Sequence, residues 1–168
     1  MKQFICCLLV FSCLLCLNGC RADNDGKTAN FYYIRNSYIY GQADGVMAAE
    51  VREIEEFSNE REILLAYLAG PTDPLLVSPF PRETEITEFY YEGDTLYITL
   101  CDHISTLAKA KQVLACACIA RTAMELTGVK AVYFQTDNTG ITRMDPILID
   151  QDSVLLYDDY NAPGTTEP

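Results

Sequence analysis

The sequence predicts an α+β fold, in which a small, mostly antiparallel sheet carries two helices packed on one face. The first observation is the order of elements, which reads strand, strand, helix, hairpin, long helix, strand. The second is a pair of alternating apolar and polar runs joined by Glu92-Gly93-Asp94, which is typical of a hairpin. The third is that each of the two helical patterns ends at a glycine, Gly70 or Gly128. The chain of 168 residues is long enough for one domain with a sizeable core.

The first half of the domain combines aromatic strands with a short helix. Residues 31–40 are rich in aromatic and β-branched side chains and predict a strand, or a tight hairpin around Arg35-Asn36. Residues 46–56 fit either a loose helix or an edge strand. Residues 59–69 predict a helix, because Asn59 can cap it and Glu62 follows three residues later, as in a capping box. Gly70 and Pro71 end that helix.

The second half supplies the hairpin, the long helix and further strands. The hairpin strands are predicted at residues 85–91 and 95–101, and the long helix at residues 107–126. Residues 129–136 predict another strand, and residues 147–149 and 154–157 predict short strand pieces. The polar tail at residues 158–168 contains proline and glycine and is expected to be disordered.

The first nineteen residues predict a lipoprotein signal peptide. Lys2 precedes an apolar run, and Leu17-Asn18-Gly19 leads directly to Cys20, which resembles the site where bacterial lipoproteins are cleaved and lipidated. The alternatives are a secretory signal cut elsewhere and an uncleaved anchor, although a membrane-spanning helix needs about 20 apolar residues. Two acyl chains on Cys20 would anchor the protein stably in the membrane. Residues 20–30 are expected to form a polar tether between the lipid and a single domain at residues 31–157.

Charge and cysteine usage narrow the function further. A net charge of −12 argues against nucleic acid, whose phosphates would repel the chain. Of the eight cysteines, only three follow Cys20, so a disulfide framework is not predicted. On a helical wheel Cys116 lies on the apolar side and Cys118 near the polar side, which excludes chelation of one metal ion by both thiols. A bridge from Cys101 to Cys116 is left open.

Few residues carry the signature of catalysis. The sequence has no glycine-rich phosphate loop and no metalloprotease or serine-hydrolase motif. The single histidine, His103, has no cysteine or serine with nucleophile context around it and is expected to face solvent at a strand-to-helix turn. Asp102 and Asp137 could both lie near strand ends, so a hydrolase with paired carboxylates is kept as the weakest alternative.

A cluster of tyrosines at the start of the domain allows two interpretations. Tyr32, Tyr33, Tyr38 and Tyr40 fall within nine residues of each other, and Tyr90 and Tyr91 add two more in the first hairpin strand. Alternate side chains of a strand face opposite sides, so packing within the core and on the sheet surface is the simpler interpretation. The functional interpretation is a binding surface, since tyrosine offers rigid amphipathic contact area.

Two stretches together resemble the GerM-type (GerMN) domain of bacterial sporulation and spore-germination lipoproteins. One runs from Leu64-Leu65-Ala66-Tyr67-Leu68 into Gly70-Pro71-Thr72, and the other is the Gly128-Val129-Lys130-Ala131-Val132-Tyr133-Phe134 segment after the long helix. The resemblance implies a module similar to the ring-building domains of secretion and spore-channel complexes. It favours a strand at residues 46–56 and gives Gly70, Pro71, Thr72 and Gly128 architectural roles rather than chemical ones.

The function expected from the sequence is therefore binding or assembly without a cofactor. The first hypothesis is a non-catalytic lipoprotein module on the outer face of the cell membrane, which binds protein partners or itself in envelope, sporulation or germination machinery. The second is a domain that binds the glycan of the cell wall, peptidoglycan. The third is a cell-wall hydrolase.

Overall fold

The computed structural model describes residues 26–36, 45–137 and 143–154, which form an α+β fold as predicted. Within these residues the strands divide between two sheets, one of three strands and one of four. The predicted signal peptide, Cys20, Tyr38, Tyr40 and the tail at residues 158–168 lie outside the described residues.

The first sheet is antiparallel and has the strand order β2-β1-β3. Its strands are β1 (Thr28–Arg35), β2 (Met47–Glu53) and β3 (Leu76–Val77). The strand predicted from residue 31 is confirmed as far as Arg35, and the choice of a strand over a helix at residues 46–56 is confirmed by β2. Phe31 and Tyr33 are fully buried, because the same face of β1 turns both side chains into the core.

Helix α1 (Glu60–Leu68) confirms the helix predicted at residues 59–69. The Asn59 side chain accepts a hydrogen bond from the backbone N–H of Glu62 at 3.0 Å, as an N-cap should. The Glu62 carboxylate in turn accepts from the backbone N–H of Ser58 at 2.9 Å. After the helix, Gly70 has a φ of 93°, a left-handed conformation that glycine adopts without strain.

The second sheet has the order β4-β5-β6-β7 and contains the predicted hairpin. The hairpin strands are β4 (Ile86–Glu92) and β5 (Thr95–Leu100), followed by a 3₁₀ helix (Asp102–Thr106), helix α2 (Lys109–Thr127), β6 (Ala131–Thr136) and β7 (Ile147–Asp150). Strand β6 pairs with β5 in parallel, because α2 returns the chain to the starting end of the sheet. Gly128 ends α2 in a left-handed conformation with a φ of 76°.

A strand was predicted at residues 154–157, of which the structure describes only Val154. For Val154 the prediction is wrong. Residues 151–154 form a helical turn instead. The Asp150 carboxylate accepts hydrogen bonds from the backbone N–H of Ser153 at 2.8 Å and from its hydroxyl at 2.6 Å. This local capping competes with an extended backbone and starts the turn directly after β7.

Helix α2 is buried by both sheets, which corrects the placement of Cys118 near a polar side. The helix contacts β1 of the first sheet and also β6 and β7 of the second. Every residue from Ala115 to Ala120 is therefore fully buried, including Cys116 and Cys118. Small alanine and cysteine side chains allow the two sheets to approach the helix closely. The bridge left open between Cys101 and Cys116 is absent, since all three described cysteines are free thiols.

Candidate interaction surface

Tyr32 and Tyr33, the first two tyrosines of the cluster, are part of the core. Tyr33 is fully buried and its hydroxyl donates to the backbone oxygen of Tyr67 at 2.9 Å, with the two rings stacked 4.7 Å apart. Tyr32 is 8% exposed, and its hydroxyl donates to the Glu125 carboxylate at 2.5 Å. The Arg121 guanidinium covers the Tyr32 ring at 4.2 Å from its centroid. The packing interpretation therefore holds for Tyr32 and Tyr33, and neither supplies an exposed surface.

The Gly70-Pro71-Thr72 segment is fastened to β2 by a pair of charged side chains. Arg52 donates to Glu50 at 2.8 Å and to the backbone oxygen of Gly70 at 2.7 Å. The Glu50 carboxylate also accepts from the backbone N–H of Thr72 at 3.1 Å and from the Thr72 hydroxyl. Burial alone would raise the pKa of Glu50, but the hydrogen bonds from Arg52 and Thr72 hold it below its ordinary value. This geometry is consistent with an architectural role for the segment.

Arg52 also contacts two aromatic side chains of β1. Its guanidinium lies 4.8 Å from the ring centroid of Phe31 and 5.6 Å from that of Tyr33. A cation over the faces of two aromatic rings is stabilised by the negative charge density of those faces. The loop after α1, strand β2 and the aromatic core of β1 are thus held together by one side chain.

The outer face of the second sheet, opposite α2, carries a row of aromatic side chains that is half-buried in its middle and exposed at both ends. Tyr90 of β4 pairs with Tyr97 of β5, Tyr97 pairs with Tyr133 of β6, and Tyr133 pairs with Leu148 of β7. The rings of Tyr90 and Tyr97 stack 4.9 Å apart, and those of Tyr97 and Tyr133 lie 5.1 Å apart. Tyr90 is 46% exposed and Leu148 57% exposed. We call these four residues the tyrosine row.

Polar side chains flank the tyrosine row on both sides. On one side the Thr99 hydroxyl donates to Glu88 at 3.0 Å and accepts from the Gln135 amide at 3.1 Å. These three residues help to line a cleft of about 360 Å³, together with Thr87, Thr136 and Asp137. On the other side, partial desolvation and the carboxylate of Glu92 raise the pKa of Tyr97. The row is thus bordered by acidic and hydrogen-bonding groups.

A second cleft, of about 460 Å³, opens where the described domain begins. It lies between the start of β1, the loop before α1 and the end of α2, and its lining includes Ile54, Phe57 and Glu125. Asn30 donates to the Glu125 carboxylate at 2.9 Å across this region. The cleft mixes apolar and polar groups without a cluster that suggests a reaction.

The expectation for His103 is met in its placement but not in its surroundings. His103 lies in the 3₁₀ helix between β5 and α2, and its side chain is 52% exposed. However, the Cys101 sulfur is 3.5 Å from His103 Nδ1, so a thiol does lie next to the imidazole. The two residues meet because the chain passes from β5 into the 3₁₀ helix between them.

The two aspartates considered for a hydrolase do not line the same cleft. Asp137 lines the cleft beside the tyrosine row, where the second carboxylate is Glu88, and Asp102 begins the 3₁₀ helix. Among the described residues there is no group of three or more metal-ligating side chains. In the part of the chain that the structure describes, no helix is long and apolar enough to span a membrane.

The fold and this surface define a small α+β domain with a row of tyrosines on the outer face of its second sheet. Comparison with known proteins gives the family: the model for Germane, described as sporulation and spore germination, matches residues 30–142. The chain belongs to this family, as the resemblance of its sequence predicted.

The first of two solved structures agrees with this assignment at the level of the fold. The first GerMN domain of the sporulation protein GerM from Bacillus subtilis matches with a TM-score of 0.51 and 12% identity, covering 71% of this chain and 94% of that domain. A crystal structure of a candidate lipoprotein from Clostridium perfringens gives a TM-score of 0.43 and 17% identity, covering 79% and 92% of the two chains. No curated protein matches the chain by sequence.

Proposed function

We propose that the protein is a lipoprotein held on the outer face of the cell membrane by a lipidated Cys20, and that its domain is a non-catalytic module that binds other proteins of the envelope. The family connects the domain with sporulation and spore germination. The tyrosine row is the observation that carries the binding function. Its ends, Tyr90 and Leu148, are exposed and its middle is half-buried, and neighbouring aromatic and apolar side chains on an outer sheet face are typical of interaction sites.

Anchoring rests on the sequence around Cys20 and can be tested directly. The mature protein would begin at Cys20, with two acyl chains giving stable attachment. We expect the intact mass of protein extracted from membranes to correspond to a chain that starts at a lipidated Cys20. A Cys20→Ser variant should keep its signal and lose the lipid. An unmodified Cys20 or a retained Met1 in the wild-type protein would contradict the anchoring.

The orientation of the rings favours a protein partner over a sugar. The rings of Tyr90 and Tyr97 are only 6° from parallel, so they cover each other's faces and offer edges and hydroxyl groups to a ligand. Sugar rings bind aromatic side chains through the ring faces, whereas protein interfaces use aromatic edges and hydroxyl groups readily. Leu148 continues the same row with an apolar side chain.

Size and charge describe the partner more closely. Four neighbouring strands lie about 4.8 Å apart, so the row is about 14 Å long, which matches four or five residues of an extended segment. Contact with four or five residues is far smaller than a standard interface, which has about 20 to 30 residues on each side. Glu88 and Glu92 lie on opposite sides of the tyrosine row. None of the described residues that pair between strands β4, β5, β6 and β7 is a lysine or arginine. A short basic segment of a partner protein fits this surface best.

Crosslinking in membranes tests this interaction. We expect the wild-type protein to give a crosslinked product in membranes from sporulating cells, and a Tyr97→Ser, Tyr133→Ser double variant to lose it. Val51→Ser is the matched control, because Val51 is 65% exposed but lies on β2 of the other sheet. Unfolding by urea should show that all variants are folded. A chain that stays without a partner under every condition, or a double variant that crosslinks normally, would contradict the proposal.

Glycan binding is the second candidate, favoured by the polar cleft beside the tyrosine row. Hydrogen-bonding side chains next to exposed tyrosines could hold the amide and hydroxyl groups of peptidoglycan. Co-sedimentation with purified peptidoglycan, abolished by Gln135→Ala, would support it. The same incubation tests hydrolysis, since Glu88 and Asp137 both line the cleft: release of soluble fragments that Glu88→Gln abolishes would establish an enzyme.

A further inference from the structure

We propose that Cys101 is a reactive thiol, activated by His103, that exchanges with disulfides to form a mixed disulfide. Cys101 follows β5 directly and caps the 3₁₀ helix, so strand pairing and helix geometry fix its backbone on both sides. Its backbone N–H donates to the oxygen of Glu85 at 3.0 Å, which holds it against the segment before β4. The thiol is therefore presented from a rigid position rather than from a loose loop.

Three groups surround the sulfur of Cys101. The backbone N–H of Glu85 donates to it at 3.2 Å, and the thiol itself donates to the backbone oxygen of Glu83 at 3.5 Å. His103 Nδ1 is also 3.5 Å away. A backbone N–H pointed at sulfur stabilises the thiolate, and the thiolate is the nucleophilic form of cysteine.

The carboxylate of Glu83 lies on the other side of the imidazole. Its oxygen is 4.0 Å from His103 Nε2, so Nδ1 is the ring nitrogen that faces Cys101. Both side chains are more than half exposed, so their interaction contributes little to folding stability.

The backbone of Glu83 is strained at this place. Its φ is 67°, and it is the one described residue other than glycine with a positive φ. Such a conformation strains a non-glycine residue and is found preferentially at functional sites. Here the strained residue directs its carbonyl oxygen toward the thiol and its carboxylate toward the imidazole.

The other described thiols provide a contrast within the same chain. Cys116 and Cys118 are fully buried, and burial raises the pKa of the Cys116 thiol. Cys101 is partly exposed. In the exchange, the Cys101 proton moves to His103 Nδ1, the thiolate attacks one sulfur of a disulfide, a new S–S bond forms, and the other sulfur leaves as a thiolate. The incoming disulfide is the oxidant and Cys101 is oxidised.

The experiment measures the reactivity of each cysteine by peptide mapping. The purified full chain is treated with limiting iodoacetamide, or with oxidised glutathione, before digestion and mass spectrometry. We expect Cys101 to react about 100-fold faster or more than Cys116 and Cys118 in the native protein, since buried thiols must wait for local opening. All three should react at similar rates in denaturant.

Substitution of His103 separates activation from mere exposure. His103→Ala should lower the native rate at Cys101 about 5- to 10-fold, which corresponds to the loss of one favourable polar contact. Added imidazole should restore the rate, which a purely structural role of His103 would not allow. Lys109→Gln is the matched control, because it removes an exposed positive charge from the following helix without touching the thiol.

Each outcome decides the proposal. An unchanged rate in His103→Ala, or a rate that imidazole does not restore, overturns the activation by His103. If Cys101 and Cys116 react at equal rates in the native protein, Cys101 is not selectively reactive and the proposal is overturned. If His103→Ala does not fold, Glu83→Gln keeps the side-chain shape and should slow Cys101 by a smaller factor. These rates do not depend on membrane anchoring or on the tyrosine row, so failure here leaves the proposed function untouched.

Discussion

Replacing Glu50 with glutamine should destabilise the domain by about 1 to 2 kcal/mol at neutral pH. The Glu50 side chain is 10% exposed and that of Arg52 19% exposed, so the burial of this ion pair lies between that of an exposed pair and that of a fully buried pair. Exposed ion pairs contribute about 0 to 1 kcal/mol. Breaking a fully buried pair costs about 3 to 5 kcal/mol. Glutamine keeps an oxygen that can accept from Thr72, so the loss is confined to the attraction between Glu50 and Arg52.

The effect of this substitution should depend on pH in a defined direction. The pKa of Glu50 is lowered in the folded protein from its ordinary value of 4.5, so the carboxylate stabilises the fold above that pH. As the pH falls from this value through the lower folded pKa, the wild-type protein must take up a proton and loses this contribution. The free energies of unfolding of wild type and Glu50→Gln should therefore differ most at pH 7 and converge in acid.

Urea unfolding at a series of pH values measures both quantities. The matched control is Glu53→Gln, which removes the same charge from an exposed position of the same strand, β2. We expect the control to change the free energy of unfolding by less than about 0.5 kcal/mol. Equal effects of the two substitutions at pH 7, or a Glu50→Gln difference that does not shrink in acid, would show that the contacts with Arg52 and Thr72 do not stabilise the fold.

Three further substitutions test individual features of the fold by urea unfolding. Gly128→Ala should cost about 1 kcal/mol through backbone strain alone, since the added Cβ meets no atom within 4 Å; a neutral result would mean that the left-handed end of α2 relaxes freely. Asn59→Ala should cost about 1 kcal/mol by removing the cap of α1, whereas Asn59→Asp should retain most of it. Tyr33→Phe should cost about 1 kcal/mol, because the oxygen of Tyr67 keeps its bond from the N–H of Gly70; a much larger loss would indicate that the ring stack also shifts.

The sequence predicts those parts of the fold that neighbouring residues determine. Helix α1 could be predicted because Asn59 caps one end and Gly70 ends the other, and both effects act within one turn. The hairpin could be predicted because Gly93, with a φ of 59°, allows the turn between two alternating strands. In each case the signal and the structure that it determines lie within about ten residues of the chain.

The division into two sheets depends on distant contacts and could not be predicted in the same way. A helical wheel assumes one buried face and one solvent face, which placed Cys118 near the polar side. Helix α2 instead contacts β1 on one side and β6 and β7 on the other. The sequence did contain a sign of this burial, namely that residues 115–120 include no charged side chain. A run of six small or apolar residues within a helix indicates burial on all sides more directly than the wheel does.

The tyrosine row shows why a binding surface is harder to predict than a core. The local density of tyrosines at residues 32–40 allowed a binding surface as the second interpretation, yet Tyr32 and Tyr33 lie in the interior. Tyr97 and Tyr133 each occupy an outward position of an alternating strand, and nothing near either residue indicates the other. They become neighbours only because β5 and β6 pair in parallel, in a register that α2 and its packing determine. A useful search would therefore begin from the outward positions of each predicted strand and ask which aromatic side chains a given strand order brings together.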